Sequence, residues 1–118
     1  MPNSKSDTTG SACLLVKWDG PTPPTEQEAE ARLRQEGYEC YRWYDVAGAS
    51  YPKHRHGFDE CLWVISGSIS FVVDGQEYAL SPGDRLYLPK RLAHTAQVPK
   101  VGGVTYLVGQ KNSGSHKC

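Results

Sequence analysis

Three of the four histidines, His54, His56 and His94, fall in one region of the chain. His54 and His56 are two residues apart, and in a β-strand that spacing places both imidazoles on one face. Glu60 follows four residues after His56, and Gly57 between them lets the backbone bend so that the carboxylate can return toward the imidazoles. Neutral imidazole and carboxylate are ordinary ligands for manganese, iron, nickel, copper and zinc. These residue types and spacings indicate a candidate metal site.

The elements that position these residues are predicted to be mostly short strands. Apolar, aromatic or alternating runs predict strands at residues 13–18, 38–46, 62–65, 68–73, 76–80, 85–88, 94–98 and 104–108. Asp74-Gly75 and Pro82-Gly83 predict tight turns between neighbouring strands. Short strands at this regular spacing indicate an all-β antiparallel sandwich or barrel.

One short helix is predicted between the first strand and the others, from Thr25 to Glu36. Thr25 and Glu28 have the spacing of a capping box, and Gly37 is a natural C-terminal stop. Leu33 is the only large apolar residue of the helix, so we expect the helix to lie on the surface as an appendage. The strand at 62–65 is apolar at every position, so we expect the barrel interior to cover one face and the helix or a partner subunit to cover the other. That covered face predicts a homodimer.

Composition excludes several classes of function. Thirteen basic and thirteen acidic side chains give no net charge, which argues against a nucleic-acid footprint. No apolar run approaches the ~20 residues of a membrane-spanning helix, and no secretory signal is visible, so we expect a cytoplasmic protein. The four cysteines form no CxxC pair and are expected to be unpaired, with Cys61 buried in an apolar run.

The residues also resemble a known family. Five of them match the motif G-x5-H-x-H-x3-E-x6-G, the first motif of the cupins: Gly48, His54, His56, Glu60 and Gly67. Three more match most of the second motif, G-x5-P-x-G-x2-H-x3-N: Gly83, Pro89 and His94. The chain departs from the second motif at Arg91, where the family has Gly, and at Val98, where it has Asn. Neither position supplies a ligand, but we expect Arg91 to alter the turn before His94.

The resemblance covers residues 38–109 and implies a small, single-domain, metal-binding cupin similar to the type 2 cupins. It implies the cupin double-stranded β-helix, a jelly-roll barrel, with one divalent transition metal ion (Mn, Fe, Ni, Cu or Zn) in a cavity. The implied ligands are His54, His56, Glu60 and His94. The expected organisation is a flexible tail at 1–12, a strand, Pro-rich linker and helix at 13–37, the barrel at 38–109, and a flexible tail at 110–118.

Fold and ligands do not select a reaction. The first hypothesis is a metal-dependent enzyme, similar to a dioxygenase or to an isomerase or decarboxylase, that acts on a small oxygen-rich molecule with Glu60 as a catalytic base. The second is a non-catalytic module that binds or senses a small ligand or a metal, and the third is a metal that only braces the barrel. Six aromatic residues are candidates for lining the barrel, or else for core packing or a dimer contact: Tyr41, Trp43, Trp63, Phe71, Tyr87 and Tyr106. Arg42, Arg85 and Arg91 are candidates for binding an anionic substrate, or else are solvated or paired on the surface.

Overall fold

The computed structural model describes residues 13–112. The expected tail at 1–12 and residues 113–118 of the expected tail at 110–118, with His116 and Cys118, lie outside the described residues. Among residues 13–112 there is one helix, α1, which spans Glu26–Gln35. The strands are β1 Leu14–Val16, β2 Glu39–Asp45, β3 Ser50–His54, β4 Asp59–Ser66, β5 Ile69–Val73, β6 Gln76–Leu80, β7 Arg85–Leu88, β8 His94–Gln97 and β9 Val104–Lys111.

The strands form two antiparallel sheets. One sheet has five strands in the order β1-β7-β4-β9-β2, and the other has four in the order β3-β8-β5-β6. Side chains from the inner faces of both sheets meet in an apolar core; among them are Leu62, Ile69, Phe71, Leu86 and Val104. The all-β jelly-roll barrel predicted above is confirmed.

Local turn chemistry shapes two of the connections between strands. Asp74 and Gly75 both have positive φ, at 51° and 77°, so the β5–β6 hairpin closes as the Asp-Gly pair predicts. Gly83 follows Pro82 with a φ of 93°, and the Asp84 amide donates to the Ser81 carbonyl at 2.9 Å, as expected of a type II turn. Both turn predictions are confirmed.

The helix is more than a surface appendage, and that expectation was wrong. Ala29 and Leu33 are fully buried against Cys61, Trp63 and Leu107 on the outer face of the five-stranded sheet. Ala29 and Leu33 are four residues apart, so they form one narrow apolar stripe that suffices for docking even though only one of them is large. The predicted cap is present: the amide of residue 28 donates to the Thr25 hydroxyl at 3.1 Å, and the Thr25 amide donates to the Glu28 carboxylate at 2.8 Å.

Strand β4 is covered on both faces, as its uniformly apolar sequence predicts. Leu62 and Val64 face the barrel core, whereas Cys61 and Trp63 face the helix. The helix therefore covers the outer face of β4, for which the sequence analysis left two candidates, the helix or a partner subunit. The homodimer stays a prediction.

Strand β3 has no counterpart among the predicted strands. It contains Pro52 and few apolar residues, and it lies at the edge of the four-stranded sheet, where a missing N–H is tolerated. Strand β4 begins three residues before its predicted start, and β9 runs three residues past its predicted end. Within residues 13–112, no helix has the length and apolar character needed to cross a membrane.

Candidate metal centre

Two of the candidate ligands face each other across neighbouring strands. His54 ends β3, His94 begins β8, and the two residues are direct partners in the antiparallel register. Side chains of such partners lie on the same face of a sheet, and the two imidazole centroids are 4.4 Å apart. The strand pairing thus brings together two histidines that are far apart in sequence.

His56 reaches the same place by another route. Because β3 ends at His54, His56 lies in the connecting loop, and the expectation that one strand carries both residues was wrong. Its carbonyl accepts the Arg91 amide at 2.7 Å, and its ring stacks on Phe58 at 4.9 Å between centroids. The His54 and His56 ring centroids are 4.8 Å apart, so loop contacts replace strand periodicity as the cause of their convergence.

Glu60 lies beside a cluster that the three histidines form. One ligand atom from each of His54, His56 and His94 lies within 4.8 Å of those of the other two. The Glu60 carboxylate, almost buried near the start of β4, has its Oε1 atom 3.7 Å from Nε2 of His56. The backbone bends at residues 57–58, which lets β4 return the carboxylate to the imidazoles as expected.

The hydrogen bonds of the histidines fix which ring nitrogen is free. Nδ1 of His54 lies 2.8 Å from the Pro52 carbonyl oxygen, and Nδ1 of His94 lies 3.0 Å from that of Leu92. A carbonyl only accepts, so each Nδ1 carries the proton and donates it, which leaves the Nε2 lone pair free in the neutral ring. This arrangement commonly orients metal-binding histidines, and it fits a divalent transition ion.

Burial keeps the charges of the cluster low. It lowers the pKa of the His56 imidazole, and the neighbouring His54 lowers it further. Burial also lowers the pKa of His94 by more than its hydrogen bond to Leu92 raises it, and the other two histidines add to the decrease. Burial raises the pKa of Glu60 to about 7. Near neutral pH the two imidazoles are therefore neutral, and Glu60 can hold or release a proton.

The turn before His94 keeps the backbone conformation of a glycine at Arg91. Arg91 has a φ of 69°, in the left-handed region that side chains rarely adopt. Its amide bond to the His56 carbonyl ties this turn to the histidine loop. Arg91 therefore places a side chain in a strained backbone conformation, and the expectation that it alters the turn stays a prediction.

A cavity of about 150 Å³ lies beside the cluster. Its lining joins the four candidate ligands to aromatic and aliphatic side chains: Tyr41, Trp43, Tyr51, Leu62, Phe71, Ala96, Tyr106 and Val108. Two other aromatic candidates, Trp63 and Tyr87, lie instead in or against the cluster beneath the helix.

The arginine candidates do not line this cavity. Arg42 pairs with Glu26 at 3.3 Å, and Arg85 contacts Glu36 and lies over the Trp63 ring on the helix side of the sheet. The turn that contains Arg91 contacts the histidine loop through its backbone.

Sequence reasoning missed two polar residues beside the cavity, Asp45 and Tyr51. Asp45 is buried and accepts hydrogen bonds from Tyr51, Trp43 and Tyr106. Period-two alternation could have identified Asp45, because it shares one face of β2 with Tyr41 and Trp43. Tyr51 gave no such signal, since a register shift lies between it and His54.

Comparison with known proteins identifies the family. The sequence model of the cupin domain family matches residues 42–108, a range that includes His54, His56, Glu60 and His94. The chain belongs to the cupin family. No curated protein matches the sequence.

Solved cupin structures share the fold. A cupin protein from Bacteroides fragilis has 20% identity and a TM-score of 0.59, covering 98% of this chain and 88% of its own. A cupin superfamily protein from Desulfitobacterium hafniense has 15% identity and a TM-score of 0.57, covering 89% and 82%. The polyketide cyclase RemF from Streptomyces resistomycificus has 19% identity and a TM-score of 0.58, covering 67% and 59%. At these identities the similarity is one of fold.

Proposed function

We propose that this cupin is a metal-dependent enzyme that acts on a small oxygen-rich molecule. The observation that carries the proposal is the convergence of three imidazoles and one carboxylate at the wall of an open cavity. His54, His56, His94 and Glu60 would hold one divalent transition ion, because their donor atoms suit such an ion and two of the rings are fixed in the correct tautomer.

Charge indicates the kind of substrate group. Three neutral imidazoles and one carboxylate around a divalent ion leave one net positive charge, which favours an anionic oxygen such as a carboxylate or an enolate. When bound, the metal would supply Lewis-acid polarisation of that oxygen or orient substrate and dioxygen. The chain's own residues bind the ion, orient the substrate against the cavity wall and restrict water.

Glu60 is the candidate for proton transfer. Its carboxylate lines the cavity, and a pKa near 7 in the metal-free site means that it can accept or release a proton under physiological conditions. A carboxylate that holds the metal in one state and takes a proton from the substrate in another would serve isomerase and decarboxylase chemistry. The cavity itself favours an enzyme over a metal that only braces the barrel, because a purely structural site needs no space for a substrate.

The first experiment compares His54→Ala with Arg55→Ala as a matched control. Arg55 lies between the two histidines in sequence, is exposed and does not line the cavity. Each protein is purified without chelator, its metal is measured by mass spectrometry, and it is screened against small carboxylates, enols and ketones. We expect His54→Ala to lose metal and turnover together and Arg55→Ala to keep both. Turnover retained by a metal-free His54→Ala protein would refute the proposal.

The binding-module alternative has a different outcome. A compound that copurifies unchanged, with no product in the metal-loaded screen, would favour a protein that binds without turnover. A product that appears only when metal is present would exclude that alternative.

A further inference from the structure

Charged and apolar side chains are unequally distributed in the lining of the cavity. Apart from the four candidate ligands, each of its described lining residues is aromatic or aliphatic, and neither lysine nor arginine is among them. A second anionic group, such as a phosphate or a distal carboxylate, would therefore be desolvated without a counter-charge, which is costly. The cavity suits a ligand with one anionic group at the metal end and an apolar remainder.

The rings of the lining form an aromatic wall, in which Trp43, Tyr51 and Tyr106 turn their polar atoms to one anchor outside the lining. The hydroxyl of Tyr41, also in the wall, instead accepts from the Gln110 side chain at 3.3 Å. Tyr51 Oη donates to Oδ1 of Asp45 at 2.5 Å, and Trp43 Nε1 donates to the same oxygen at 3.0 Å. Tyr106 Oη donates to Oδ2 of Asp45 at 2.7 Å. All three donors are thus engaged by one buried carboxylate, so the side chains offer the cavity mainly their ring surfaces.

The size of the cavity suits a small ring. A cavity of about 150 Å³ is comparable to an engineered apolar cavity in another protein that accommodates benzene. One six-membered ring fits that space, with its oxygen group toward the histidines. Phe71 reinforces this arrangement, because its ring lies 6.2 Å from that of His94 and so borders both the apolar and the metal-binding parts.

We propose that this cavity selects a planar, single-ring compound that carries one anionic oxygen group, and that Asp45 is the positioning residue of its aromatic wall. The inference rests on the proposed function, since it places the oxygen group at the metal. It goes further by predicting a preference for such a compound over multiply charged and long aliphatic ones. Asp45 acts through the three rings that it holds and does not itself line the cavity.

The test measures affinities of simple probes by calorimetry on the full chain reconstituted with Zn²⁺. Acetate supplies the carboxylate alone, benzoate adds one ring, and succinate adds a second charge without a ring. We expect benzoate to bind at least about tenfold more tightly than acetate, because the ring is buried on apolar surface. Succinate should bind no more tightly than acetate. Succinate affinity equal to or above that of benzoate would overturn the inference.

Asp45→Asn tests the positioning role, with Asp84→Asn as the matched control. Asp84 is also a buried carboxylate that accepts three hydrogen bonds, from Lys17, Trp18 and Ser81, but it does not line the cavity. We expect Asp45→Asn to reduce the benzoate preference to within about threefold of acetate, whereas Asp84→Asn lowers stability and keeps the preference. An unchanged preference in folded Asp45→Asn, or an equal loss in both variants, would overturn the role of Asp45.

A second variant keeps the test decisive if Asp45→Asn does not fold. Ala96 lines the cavity, and Ala96→Leu adds three carbon atoms to it. We expect benzoate binding to fall at least tenfold while acetate binding and metal content stay the same; unchanged benzoate binding would contradict the assignment of the ring to this cavity.

The inference and the proposed function can fail separately. If the protein takes up none of Mn²⁺, Fe²⁺, Ni²⁺, Cu²⁺ and Zn²⁺, the proposed function fails, and phenol binding to the metal-free protein then tests the ring site alone. Phenol bound by the wild type and lost in Ala96→Leu would support the inference, and no phenol binding would overturn it.

Discussion

Leu33→Ala tests how the helix is coupled to the barrel. Leu33 is fully buried and packs, with Ala29, on Trp63 and Leu107 on the outer face of the five-stranded sheet. Truncation of a leucine in such a site removes its transfer free energy and leaves a cavity, which together cost about 3 kcal/mol. Unfolding entropy of about 0.2 kcal/mol/K for a domain of this size converts that cost to a decrease in Tm of about 14 °C.

The assay is urea unfolding followed by tryptophan fluorescence, with calorimetry for the Tm. Leu14→Ala is the control, because Leu14 is 58% exposed and its truncation should change the free energy of unfolding by no more than about 0.5 kcal/mol. Metal content should stay unchanged in Leu33→Ala, since Leu33 packs on the face of the sheet opposite the cavity. A loss of stability below about 1 kcal/mol would show that the helix is not docked as described.

Three further predictions concern backbone and charge. Arg91→Gly should raise the free energy of unfolding by about 1 kcal/mol, because glycine adopts a φ of 69° without strain; a lower urea midpoint would contradict this. Gly83→Ala should destabilise by more than about 2 kcal/mol, since an added Cβ would lie 2.7 Å from the Trp18 side chain at a φ of 93°. Gly48→Ala is its control, because Gly48 also has a positive φ but no atom lies near the added Cβ, and it should cost only about 1 kcal/mol in the same assay. Equal losses of stability in the two alanine variants would rule out the clash with Trp18. Burial by itself would raise the pKa of Asp84, but its three hydrogen bonds outweigh burial and leave the pKa below its ordinary value. The contribution of Asp84 to the free energy of unfolding is therefore complete above the unfolded-state pKa of about 4 and is lost as pH falls through the lower folded-state value. In urea unfolding, the loss of stability caused by Asp84→Asn should therefore shrink from pH 7 to pH 3. A deficit that grows on acidification would refute this assignment.

Much of the fold could be predicted because local chemistry and long-range packing agree. The Asp74-Gly75 hairpin and the Thr25 cap are decided by residues adjacent in sequence, and the structure places both as predicted. The edge strand β3 could not be predicted, because Pro52 opposes strand propensity and only pairing with β8 overrides it. The burial of the helix likewise depends on the apolar outer face of β4, and the number of apolar residues in the helix itself does not reveal that face.

The candidate site shows the same division. The motif spacing selected His54, His56, Glu60 and His94, and the structure brings all four to one cavity. The route of His56 through a loop depends on contacts with Phe58 and the Arg91 amide, which spacing alone does not specify.

The anchor of the aromatic wall was harder to foresee. Asp45 could be placed on the inner face of β2 by alternation, but its three donors come from β2, β3 and β9. Only the closed barrel brings those strands together around one carboxylate.

The most direct test of the central claim is the metal content of untagged protein purified without chelator or added metal. We expect close to one equivalent of a transition metal ion per chain by mass spectrometry, and less than about a tenth of an equivalent in His54→Ala. Wild-type protein that stays metal-free after incubation with Mn²⁺, Fe²⁺, Ni²⁺, Cu²⁺ and Zn²⁺ would show that the three histidines and Glu60 do not form a metal centre.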